Sequence, residues 1–310
     1  MDSQPHTFLS KFLRGSLRAY SAKAALVPNT DVYFRGFDQA YPDQWRYQEW
    51  KREFDQFVTN GNLPALEIVR FEHDHTGSYG SAVRGVNTPL LQVADNDYAV
   101  GQLVEAVGAS AYASNTLIFV VEDDAQDGPD HVDAHRSTTY VVGPYVKRQA
   151  VVSTPYNTIS LIATIEQVLG LSPIGLYDGL AAPMTDVFDS TAPASFAFQA
   201  EPSNFLLVGT TLLPSESETR LDPGTKQRLL AVLKRTHDAA YWAKVMKGQN
   251  FAREDAVDVA RFNRALWKGM MGSKPFPVPA RAGARGGAHA QADDSVAPWC
   301  GTTPDGRVHS

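Results

Sequence analysis

Between Glu122 and His135 the chain carries six acids and two histidines in 14 residues. The surrounding stretch, TLIFVVEDDAQDGPDHVDAHRS over 116–137, opens on the apolar run Leu117 to Val121 and passes straight into Glu122, Asp123 and Asp124. A turn at Gly128 and Pro129 separates these from Asp130, His131, Asp133 and His135. Carboxylate and imidazole are the ligands that hard-to-borderline divalent metals take. A buried strand that ends in carboxylates and runs into a histidine-bearing loop presents such ligands at the carboxyl edge of an α/β sheet.

A second ligand source lies upstream. The run PALEIVRF, 64–71, reads as a short strand and feeds the loop HDHTGSYG, with Asp74 and His75 just past its end. Four of the eight histidines, His73, His75, His131 and His135, fall in these two loops. The competing reading is a pair of solvated surface loops. Arg136 sits beside His135, where its fork of donors could clamp a phosphate oxygen or pair with Asp133. Other chemistries lack their residues. An EF-hand type calcium loop over 123–134 has Ala125 and Ala134 where ligands belong, and no helix precedes it. No Gly-x-Ser-x-Gly elbow and no Gly-rich phosphate loop with Lys and Ser/Thr occurs. Ser153 and Thr154 read as structural turn residues.

The elements that must position these groups follow from periodicity. An amphipathic helix is expected over 7–24, then an aromatic-rich loop over 27–47. The run from about Asp43 reads as a helix with Trp45, Trp50, Phe54 and Phe57 on its apolar face and Gly61 at its end. A helix over 92–111 is expected to be capped by Asp95 or a neighbour, and Asp97 reads as a cap too. Further strands are expected at 117–121, 139–142 and 150–153. The helix over 157–169 has Asn157 or Thr158 as cap, Gly170 as stop, and Ile159, Ile162, Ile165, Val168 and Leu169 as its packing face. Two more helices are expected over 224–247 and 253–270, after a turn-rich segment at 190–222. This order of strands and helices fits an α/β sandwich.

Bulk properties bound the rest. With 310 residues, 43% of them hydrophobic, the chain can bury a sizeable core. A net charge of −6 argues against a general nucleic-acid binder or a ligand of anionic membranes. A single cysteine, Cys300, excludes an internal disulfide framework and a Cys-rich zinc site. No apolar run reaches the ~18 residues of a membrane span, and the N-terminal stretch lacks the apolar core of a secretory signal. The expected segments are an N-terminal stretch 1–34, a part 35–190 that carries both candidate ligand loops, a turn-rich and helical extension 191–272, and a disordered, Ala/Gly/Arg-rich tail 273–310.

Three stretches together resemble the phosphoesterase family that includes acid phosphatases and bacterial phospholipases C, within the alkaline-phosphatase-like superfamily. They are LPALEIVRFEHDHTG over 63–77, IFVVEDDAQDGPDHVDAHRS over 118–137, and GPYVKR with YNTISLIATIEQVLGLSPI over 143–174. The family's middle motif, an apolar strand, an acidic pair, glycine and then Asp-His-Val, is met by Asp123, Asp124, Gly128, Asp130, His131 and Val132. The resemblance implies an alkaline-phosphatase-like α/β sandwich and metal-dependent hydrolysis of phosphate esters. It makes Asp123 and Asp124 metal ligands and aligns Asp74 and His75 with the superfamily's earlier ligand segment. His131 and His135 are the candidates for the later histidine, as ligand or leaving-group acid, and Arg136 for a contact to the phosphoryl group. The metal is divalent: Zn, Mn or Fe for mixed Asp/His ligation, Ca for a carboxylate-rich site.

In the superfamily the nucleophilic Ser or Thr comes from strands that precede everything matched here. The expectation is therefore that this chain corresponds to the C-terminal part of the fold, and that any export to the periplasm or beyond depends on a signal upstream of it. Two other readings stand beside the phosphoesterase: a truncated relative that binds metal or phosphate without turnover, and a plain interaction module with an acidic loop.

Overall fold

The computed structural model describes residues 21–123, 137–214, 220–253 and 256–277. The helix expected over 7–24 lies mostly outside them; residues 24–29 form a short 3-10 helix. Among the described residues most regular structure is helical, with one two-stranded antiparallel sheet, an arrangement compatible with the α/β class.

Helix α1, Asp43–Asn60, starts where expected and stops at Gly61, whose φ of 66° turns the chain left-handed. Its first N–H groups have no cap from their own side of the chain, because Pro42 offers none. They are capped instead by the carboxylate of Asp95, which accepts from the backbone N–H of Asp43 and Gln44 at 2.7 and 3.2 Å. Asp95 lies inside helix α2, Pro89–Gly108. The expectation that Asp95 caps its own helix is thus corrected. The α2 cap is Thr88, which accepts from Leu91 N–H, with Pro89 preset at the first helical position.

The main core forms where α1 and α2 meet. Trp50 and Phe54 of α1 close on Val104 and Val107 of α2 and on Phe196. Strands β1, Ile118–Val121, and β2, Thr139–Val142, pair antiparallel with Ile118 opposite Val142 and Val121 opposite Thr139. Ile118 and Val142 rest on the main core, so one end of the sheet is anchored.

Two expected strands are absent. PALEIVRF runs on without regular structure, and Ile68 is 89% exposed. Residues 150–153 likewise form no strand, and Val151 is 93% exposed. β-forming composition fixes a strand only when a neighbouring strand takes its N–H and C=O groups, and neither segment has one among the described residues.

Helix α3, Thr158–Leu169, has the expected Asn157 cap and Gly170 stop. Its buried face differs from the expected one: Ser160, Ala163, Thr164 and Glu166 are buried, while the isoleucines are half-buried and Val168 is exposed. The reason is polar. Thr164 Oγ1 accepts from Met184 N–H at 2.8 Å and Glu166 accepts from Ile174 N–H at 3.1 Å, which ties the following loop to that side. That loop contains the short helix α4, Leu176–Leu180. Helix α5, Asn204–Gly209, inside the stretch expected to be turns, buries Leu206 and Leu207.

The helix expected over 224–247 is two helices, α6, Pro223–Arg235, and α7, Ala239–Val245. They break at His237, whose φ is 67°, and Asp238 then caps α7 by accepting from Tyr241 N–H. The last helix among the described residues, α8, is Val259–Met271, capped by Asp258. It packs Phe262 into a second core with Tyr79, Trp242 and Met246. No helix among the described residues is long and apolar enough to cross a membrane.

Candidate functional site

A buried polar network beneath residues 72–78 determines where Asp74 and His75 stand. Asp43 accepts from the backbone N–H of Glu72 and His73, from Asn96 Nδ2 and from Arg46 Nη1. Arg46 uses its remaining donors on the carbonyls of Arg35, Gly36, Asp38 and Tyr41, so the 35–41 loop closes round one guanidinium. His73 has both ring nitrogens against acceptors: Nδ1 at 2.7 Å from Asp95 Oδ2, Nε2 at 3.0 Å from the Gln39 carbonyl. Only the imidazolium satisfies both. Burial pulls the His73 pKa down, but the Asp95 hydrogen bond and the charges of Asp43 and Asp95 outweigh it and hold it raised.

The loop above this network is clamped at Gly77. The Gln92 amide accepts from Gly77 N–H at 2.8 Å and donates to Gly77 C=O at 2.7 Å. Thr76 and Ser78 flank the glycine with φ of 37° and 50°, a left-handed backbone that such residues adopt only under outside constraint.

What the clamp presents is a cavity of about 400 Å³. Asp74, His75 and Thr76 line it from the loop, and Glu122 and Asp123 line it from the far end of β1. The rest of the lining comes from the first turn of α2 and one side of α8. Glu122 is held by Thr138, just before β2: its backbone N–H donates to Thr138 C=O, and its carboxylate accepts from Thr138 N–H. Arg70 lies 3.8 Å from Asp123 and 3.6 Å from Glu72. Partial desolvation at the cavity wall, with the negative charges of Asp43 and Asp123, raises the Asp74 pKa, although Asp74 itself is solvent-exposed.

His75 is oriented by Gln39, whose amide nitrogen lies 2.8 Å from its Nδ1. In that orientation Gln39 donates, and the ring proton sits on Nε2. Gln39 Oε1 is then buried without a hydrogen-bond partner. Turning the amide over lets Oε1 accept from Nδ1–H and puts the ring's lone pair on Nε2, as a metal-ligating histidine requires.

Of the residues singled out from sequence, Asp74, His75 and Asp123 therefore share one cavity. They are not among the groups of three or more whose ligand atoms already converge. Asp124, His131, His135 and Arg136 lie outside the described residues. The group that does converge is Asp43, His73 and Asp95, with ligand atoms within 4.8 Å of one another and all three buried. By atom type and spacing these are close enough to hold an ion. By hydrogen bonding they form a closed set: the Asp43 and Asp95 oxygens are met by protein N–H groups, and both His73 nitrogens are engaged. At the cavity Asp74, His75, Glu122 and Asp123 are donors of the types that divalent cations take.

Sequence reasoning missed Gln39, Asp43, Arg46 and Gln92. Asp43 reads as an ordinary first-turn acid of a helix, and the glutamines carry no local signal. A charged Arg46 on the side of the helix that bears Trp50 was the one available hint.

Comparisons with known proteins add one finding. No curated protein and no solved structure matches the chain. A sequence model of the phosphoesterase family matches residues 16–172, which takes in α1, α2, both strands, α3 and the acid side of the cavity. On that match, covering half of the 310 residues, the chain belongs to the phosphoesterase family.

Proposed function

We propose that the chain hydrolyses phosphate esters at this cavity in a metal-dependent manner, with Asp74, His75, Asp123 and Asp124 as ligands. His131 and His135 stand as ligand or leaving-group acid, and Arg136 meets the phosphoryl oxygens. In this reading the sheet and its helices belong to an alkaline-phosphatase-like α/β sandwich. The observation that carries the proposal is the meeting of Asp74 and His75 with Glu122 and Asp123, from two distant parts of the chain, in the lining of one cavity.

A divalent metal held there supplies Lewis-acid polarisation of the phosphoryl oxygens and a lowered pKa for the attacking oxygen. The chain does the rest. Gln39 selects the His75 tautomer, and Gln92 fixes the backbone that carries Asp74 and His75. The carboxylates repel a phosphate dianion unless a cation intervenes, which couples substrate binding to metal loading.

The test is metal content and aryl phosphate hydrolysis for the wild-type chain and for Asp74→Asn, Asp123→Asn and Asp124→Asn. The expected result is loss of bound metal and at least a ~100-fold fall in turnover, as for removal of transition-state charge stabilisation. Wild-type hydrolysis that resists chelators would sink the reading. Loss of metal in Asp95→Asn but not in Asp74→Asn would move the ion to the buried cluster.

One observation favours a second reading, metal and phosphate binding without turnover by this chain alone. The single hydroxyl lining the cavity among the described residues is that of Thr76, and it is 3.0 Å from the Tyr79 hydroxyl. Robust hydrolysis by the 310-residue chain excludes that alternative.

A further inference from the structure

The cavity has a second face of opposite character. Pro89, Leu90 and Val93 line it from the first turn of α2, and Phe262, Leu266 and Met270 line it from α8. The three α8 residues are spaced four apart and so form one stripe along the helix. Among the described residues no acid or base contributes to this face, and the polar member beside it is Asn263. Leu266 and Met270 are half-buried, whereas Phe262 continues into the core around Trp242.

The stripe is held firmly. Trp242 is fully buried beneath α8, and Gly269 lies so close to its indole that a methyl group there would collide with the ring. Tyr79, one turn past the loop that carries His75, packs on the same tryptophan. The apolar face and the Asp74–His75 face are thus referenced to one rigid cluster. Helix α8 also lies wholly beyond residues 16–172, the part the family match covers.

We infer that α8 is a specificity element, and that its apolar stripe receives the alcohol portion of the ester while the acid side and its cation hold the phosphoryl group. The inference rests on the phosphoesterase reading and adds the substrate class: esters of aryl or short alkyl alcohols in preference to esters of polyols. A polyol would find no side-chain hydrogen-bond partner on Leu266, Met270 or the half-exposed Val93 and would cover less apolar surface there. An aryl or alkyl group displaces water from that wall. A volume of about 400 Å³ lies in the lower part of the small-molecule range and admits a phosphate with a ring or a short chain.

The experiment compares 1-naphthyl phosphate with glycerol 3-phosphate on the full chain with added divalent metal, for wild type, Leu266→Asn and Met270→Gln. Both substitutions fall at half-buried positions, and thermal melting of each variant checks that it folds. Wild type is expected to favour the naphthyl ester in kcat/KM, and each variant to lower that preference about tenfold or more, chiefly through KM. An unchanged ratio in both folded variants overturns the inference while leaving the phosphoesterase reading intact. Should wild type turn over neither ester, that reading fails, and calorimetric binding of 1-naphthyl phosphate against inorganic phosphate decides the inference. Tighter naphthyl binding that weakens in Leu266→Asn supports it; equal binding of the two, or no effect of the substitution, overturns it.

Discussion

His73 Nδ1 and Asp95 Oδ2 lie 2.7 Å apart in a fully buried contact, and the same carboxylate oxygen takes the first N–H of α1. One side chain therefore joins the start of α1, the middle of α2 and the loop that bears Asp74 and His75. Asp95→Asn is expected to cost about 3–5 kcal/mol, because it leaves a buried imidazolium short of its counter-charge. Asp97→Asn, exposed on the same helix, should stay within about 0.5 kcal/mol. Urea denaturation of the two variants measures the difference, and equal midpoints would show that the contact contributes little.

Gln39 should act on metal affinity and not only on stability. Gln39→Leu keeps the side-chain volume but removes the group that sets the His75 tautomer. Loss of such a partner lowers metal affinity by about 10–100-fold. Calorimetric titration with zinc or manganese reads the effect, and wild-type affinity in the variant would release Gln39 from that role.

Gly269→Ala tests the seat of α8. The added methyl group meets the Trp242 indole, which is closed in on all sides. Overpacking of this kind costs about 1–3 kcal/mol. A lowered melting temperature with quenched or shifted tryptophan emission is expected, whereas an unchanged melting curve would mean that the two can part without cost.

At the alkaline end, Tyr41 sets a limit. Burial pushes its phenol up to about 12, against a partial pull downward from Arg46 and Arg35. A folded pKa above the unfolded value of about 10 means that the stabilisation is complete below pH ~10. It is then lost as pH rises through about 12. The full loss is roughly 3 kcal/mol for this one group. Phenolate absorbance and circular dichroism followed together from pH 9 to 12.5, for wild type and Tyr41→Phe, should show the Tyr41 phenolate forming only as the chain unfolds; a difference between the two titrations near pH 10 in the folded chain would contradict it.

What could be read from the residues was local. Helices α1 and α3 announce themselves by apolar spacing with Gly61 and Gly170 as stops, because a left-handed stop is a property of one residue. Strand β1 is a continuous apolar run and was equally plain. Asp95 was misread because a carboxylate near a helix start caps that helix in most sequences; here it caps another helix more than 50 positions earlier, and nothing local records that. PALEIVRF has the composition of a strand, but pairing is a relation between two segments and composition describes one. At the cavity, the acid and histidine ends of the two apolar runs were visible as chemistry. That they line one cavity, with α8 closing its other side, depends on the Trp242 cluster, and an amphipathic helix does not name its partner.

The two ends of the β1–β2 sheet differ in how they open. Ile118 and Val142 sit against the main core, whereas Val121, Thr139 and Tyr140 at the other end are exposed. A two-stranded ribbon has little stability of its own, so its amide hydrogens should exchange with solvent in order of distance from that core, fastest around Val121 and Glu122. The Gly77 amide, locked between both ends of the Gln92 side chain, should exchange far more slowly. The acid pair and the histidine thus face the same space from supports with very different opening rates, and a bound ion would show itself first as slowed exchange on the Glu122 side.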